Sequence, residues 1–97
     1  MLKTIESKAA AGTLSSLDAS RAASDLSDSL SHLRSSGDIS NDAYLEAGVI
    51  QGGLTTLSNL IEQGCELSEI ELHVANLIQR ATSICEIHSD LKAHLLI

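Results

Sequence analysis

The sequence predicts an all-α fold, a small bundle of three to four helices built on a long antiparallel helical hairpin. Three observations carry that expectation. There is no proline among the 97 residues, so nothing forbids long uninterrupted helices. Aliphatic residues recur every three to four positions, as on one face of a helix, and strand-like alternation is absent. The stretch from Gly64 to Leu72 then reads as one helix stopping and another starting. Gly64 suits the left-handed conformation that ends a helix. Ser68 and Glu71 have the spacing of a capping box, with Leu67 and Leu72 at the positions of a hydrophobic staple. A stop and a start this close together give an antiparallel pair.

Residues 1–97 make one domain. Residues 2–11 are compatible with a short helix carrying Leu2, Ile5 and Ala9 on one side, broken by Gly12 and Thr13, and the pattern leaves open whether residues 1–13 are ordered or frayed. Ser15 or Ser16 begins the next helix, over 16–35, with Asp18 in its first turn. Its seam is Ala19, Ala23, Leu26, Leu30 and Leu33, at alternating steps of four and three. Serines run along the neighbouring face and are indifferent helix formers, so this helix depends on docking. Gly37 terminates it.

Asp38 or Ser40 caps a helix over 41–63, whose stripe is Ala43, Ala47, Ile50, Leu54, Leu57 and Ile61. Gly48, Gly52 and Gly53 lie in its middle, where each costs roughly 1 kcal/mol against alanine. Two explanations compete: close approach of a neighbouring helix, or a hinge or kink that shapes a groove. The last helix is expected to run over 69–96, with Val74, Leu77, Ala81, Ile84, His88, Leu91 and Leu95 in its seam. Ile70, Ile78, Cys85 and Ile87 widen that face beyond what one partner helix needs.

A core without Phe or Trp is thin and aliphatic, because aromatics supply the largest burial per residue. That thinness and the wide last helix predict a homodimer, with Ile78, Cys85, His88, Leu91 and Leu95 at its interface.

The formal net charge is −7, spread over both halves of the chain. No basic stripe is present, which argues against direct binding of nucleic acid or of anionic lipid. Polar residues interrupt the longest apolar stretch, Ala47 to Ile61, so no membrane span is expected. Glu6 and Lys8 are unlike a signal peptide's apolar region. Two cysteines too far apart to bridge, Cys65 and Cys85, point to reduced thiols and a cytoplasmic protein.

Signatures of chemistry are sparse. The histidines form no pair at helical spacing, and Cys85 with His88 is the nearest approach to a metal half-site. His88 in an apolar seam needs a partner, and across a two-fold axis it is a route to pH-sensitive assembly. Cys85-Glu86-Ile87-His88 lacks the Glu-x-x-His of a di-iron bundle, and Glu86 with Asp90 reads as a solvated face. No Gly-x-Ser-x-Gly elbow occurs, and the glycine run at 48–53 lacks the Lys-Ser/Thr of a phosphate loop. Cys65 stands among glutamates that raise a thiol pKa. Neither an enzyme nor a resident cofactor or metal is expected.

What remains is surface. Glu62, Glu66, Glu69 and Glu71 fall within ten residues, and no Lys or Arg occurs between Arg34 and Arg80. Part of that acidity is local, since Glu69 and Glu71 favour a helix N-terminus. Either that local duty accounts for the whole run, or the run is in addition a docking tip for a basic partner. Tyr44, the single aromatic, is either an interface anchor or a core residue with a solvated hydroxyl. The expected function is a non-catalytic protein-binding module, a small bacterial or phage regulator or inhibitor. The alternatives are an acidic DNA mimic that occupies a nucleic-acid-binding protein, and a ligand- or metal-binding bundle.

Overall fold

A computed structural model describes residues 1–96, which form helices and turns and no strand. The helices are α1 (Leu2–Ala10), α2 (Ser16–Ser35), α3 (Asn41–Glu62) and α4 (Leu67–Ile87). A single 3-10 turn (Ser89–Leu91) and the short α5 (Lys92–Leu95) follow. The bundle measures 40 × 22 × 17 Å. α3 packs against α2 on one side and α4 on the other, and α1 docks on α4.

Local chemistry sets the boundaries. Ser15 opens α2 with a complete capping box, its hydroxyl accepting from the Asp18 N–H while Asp18 accepts from the Ser15 N–H. Ser40 caps α3 by accepting from the Ala43 N–H. α1, α2 and α3 end identically, on Gly12, Gly37 and Gly64 at φ near +72°, +80° and +79°. In each case the next residue's N–H reaches five residues back, as when Cys65 donates to the Leu60 carbonyl at 3.1 Å. These reverse turns fold the chain back on itself.

The stripes become the core. Ala19, Ala23, Leu26 and Leu30 of α2 face Ala43, Ala47, Ile50, Leu54 and Leu57 of α3, all buried. Complete burial of a leucine such as Leu54 contributes about 1.5–3 kcal/mol. Ser58 is buried too, and donates its hydroxyl to the Ser16 carbonyl at 2.9 Å, tying the start of α2 to α3.

The short helix read over residues 2–11 is present as α1, docked with Leu2, Ile5 and Ala9 in the core. An apolar stripe that finds a partner holds even a short helix. Two expectations require correction. The first concerns the start of α4. It begins at Leu67 behind Glu66, without a side-chain cap, so Ser68 lies inside the helix and the Ser68–Glu71 box does not form. The turn at Gly64 is compact enough that helical geometry resumes before Ser68 can act as a cap, and Leu67 and Leu72 remain exposed.

The second concerns the helix over 69–96, which breaks at His88 (φ −118°, ψ 78°). α3 and α4 have 22 and 21 residues. A straight extension past His88 would outrun α3 and leave Leu91 and Leu95 in water. The bend instead buries both completely.

Candidate functional site

The residues singled out in the sequence separate into three places. Glu62 closes α3, Glu66 precedes α4, Glu69 is in its first turn, and Glu71 follows. All four are exposed, and none forms an ion pair among the described residues. Leu67 among them and Leu72 just after Glu71 are 49% and 63% exposed. The tip is therefore acidic and apolar together. Burial first, and Glu69 second, push the Cys65 thiol above its usual pKa.

Tyr44 does not join this tip. It lies near the opposite end of α3, 18 positions from Glu62, which at 1.5 Å per residue is about 27 Å. It is half-buried against the core, with the Arg34 guanidinium 4.1 Å above its ring centroid. That cation–π contact occupies the face an interface anchor would offer.

The expected dimer residues also part company. Cys85, Leu91 and Leu95 belong to the subunit's own core, and Ile78 is half-buried against it. The bend after Ile87 turned the spare apolar face inward, so those three core residues present no surface to a second copy. Burial also raises the Cys85 thiol pKa, with Lys92 opposing weakly. His88 sits at the bend with Nε2 3.2 Å from a Glu46 carboxylate oxygen. Its partner lies in the same chain, and helix α4 ends before it can share a face with Cys85. Among the described residues no three His, Cys, Asp or Glu side chains gather as a metal site.

A surface not singled out in the sequence is the outer side of the α3–α4 hairpin. A shallow groove of about 730 Å³ runs there between Val49, Gly53 and Thr56 of α3 and His73, Arg80 and Ser83 of α4. His73 donates from Nε2 to the Gly53 carbonyl at 3.0 Å. Leu77 fills the space where a side chain on Gly53 would go, which explains that glycine by close helix approach. Gly48 and Gly52 have no such neighbour. Leu45, Val49 and Ile87 project at 62%, 44% and 73% exposure. The signal was present in the sequence as a run without charge from Ala47 to Ile61.

Comparison with models of known protein families, with curated proteins and with solved structures yields no match. No helix among the described residues is long and apolar enough to cross a membrane.

Proposed function

We propose that this chain is a non-catalytic protein-binding module that receives a basic, amphipathic segment of another protein at its hairpin tip. The observation that carries the reading is the closeness in the chain of exposed Leu67 and Leu72 to four glutamates that have no ion pair within the described residues. Exposed leucines gain by burial against a partner. Unpaired carboxylates steer a basic partner toward them and set its orientation.

Isothermal titration of a Lys/Leu amphipathic helical peptide into the full chain tests this. Binding is expected at low salt, weakening as added salt screens the carboxylates. The variant Glu62→Gln/Glu66→Gln/Glu69→Gln/Glu71→Gln should lose it while retaining its helical circular dichroism. Leu67→Gln/Leu72→Gln separates this reading from DNA mimicry, because a mimic needs only the charges. Undiminished peptide binding by the leucine variant, or no binding by the wild type, would discard docking of an amphipathic segment.

A further inference from the structure

We propose that the open α3–α4 face is where a second copy of this chain docks, α3 crossing α3 at Gly48 and Gly52. Leu45, Gly48, Val49, Gly52 and Thr56 form one stripe on α3, opposite the side buried against α2. Beyond its chain neighbours and the backbone of its own helix turn, a methyl group added at Gly48 or Gly52 would meet nothing within 4 Å. Within the monomer both positions forgo helix stability without a packing return. A second helix lying over them supplies that return, since the absence of side chains lets two backbones approach closely. Leu45 and Val49 beside them, and Ile87 across the groove, provide exposed apolar area for such a contact to cover.

Charge selects the occupant. Two copies at net −7 repel over most of their surfaces. This face is the exception: α3 carries no charge from Ala47 to Ile61, and α4 carries only Arg80 between Glu71 and Glu86. At one end of the groove, Glu46 from α3 and Arg80 from α4 line the same hollow with Val49, Ser83, Ile84 and Ile87. Arg80 forms no ion pair among the described residues. One acid and one base flanking an apolar strip are complementary to their own image under a two-fold axis, which sets Arg80 of each copy toward Glu46 of the other. A basic partner finds only one acid here, and an acidic partner only one base. The acidic tip stays outside this contact, so the dimer and the tip reading stand or fall separately.

Sedimentation equilibrium of the full chain tests the proposal. The wild type is expected at twice the 10.2 kDa chain mass at about 50 μM. At dilution, where both are monomers, Gly48→Gln/Gly52→Gln should melt at a higher temperature than the wild type, because glutamine is the better helix former, yet bind its own copy at least about tenfold more weakly. Arg80→Glu should weaken the dimer, and adding Glu46→Arg should restore it. A monomeric wild type at that concentration, a glutamine variant that dimerises like the wild type, or a double charge reversal no tighter than Arg80→Glu alone would each overturn it.

Discussion

The two sides of α3 obey opposite rules, although the same helix carries both. Toward α2, Ala43, Ala47, Ile50, Leu54 and Leu57 are between 0% and 3% exposed. Away from it, Leu45, Val49 and the bare backbone of Gly48 and Gly52 meet little of their own chain. The first side is explained by the fold of one chain: alternate steps of three and four meet a matching stripe on α2. The second side is not explained by that fold, and its glycines weaken the helix that carries them. A helix that packs fully on one side and forgoes stability on the other has its second side set by something other than folding of the subunit.

Truncation provides the hardest test of this contrast. Leu54→Ala should cost about 2–5 kcal/mol, because a fully buried leucine leaves a cavity. Leu45→Ala, on the open side, should stay within about 0.5 kcal/mol when the chain is studied as a monomer. Urea unfolding followed by circular dichroism reads both. Equal losses would erase the distinction between the two sides.

The glycines sharpen it with a difference of sign. Gly52→Ala should stabilise the monomer by about 0.5–1 kcal/mol, the usual return on removing glycine from a helix with room for a methyl. Gly53→Ala places its methyl against Leu77, which is itself buried, so α4 must repack or shift. It should be less stable than Gly52→Ala by about 1–3 kcal/mol. The same urea unfolding, run on adjacent substitutions, decides between close approach and free backbone.

Smaller effects distinguish real caps from apparent ones. Ser15→Ala removes half of a reciprocal capping box and should cost about 1 kcal/mol. Ser68→Ala should cost less than about 0.5 kcal/mol, since Ser68 lies within α4 and caps nothing. Comparable losses in the two variants would restore the Ser68–Glu71 box that the structure lacks.

These contrasts show what the sequence makes legible. Periodicity and termination are local, so the seams of α2 and α3, the stop at Gly37 and Gly64 and the cap at Ser40 can all be read from neighbouring residues. What local pattern does not reveal depends on where helices run out of partners. The stripe through His88, Leu91 and Leu95 keeps its helical spacing to the end, and only the length of α3 reveals that a straight rod would leave leucines in water. Ser68 and Glu71 satisfy a capping pattern, yet the path of the chain out of Gly64 decides which residue enters the helix first. The acidic tip was legible because charge density is a property of sequence. The separation of Tyr44 from it is a matter of helix length. The glycine trio marked the open face, and only packing could separate Gly53 from Gly48 and Gly52.

The Asp18 carboxylate joins the start of α2 to α1 and gives the smallest test, one of pH. It accepts from the Ser15 N–H and pairs with the Lys8 ammonium at 3.1 Å. The Ser15 N–H first, then the hydrogen bonds from Lys8 and from the Ser15 hydroxyl, hold its pKa below the ordinary aspartate value. The unfolded chain therefore takes up this proton more readily than the folded one. The stabilisation is complete above the ordinary aspartate pKa of about 3.9, and is lost as pH falls through the lower folded value. Asp18→Asn should unfold at lower urea than the wild type at neutral pH, with the gap closing as pH falls below the ordinary aspartate range. A gap of constant size would assign the loss to hydrogen-bond geometry and leave charge no part in joining α1 to α2.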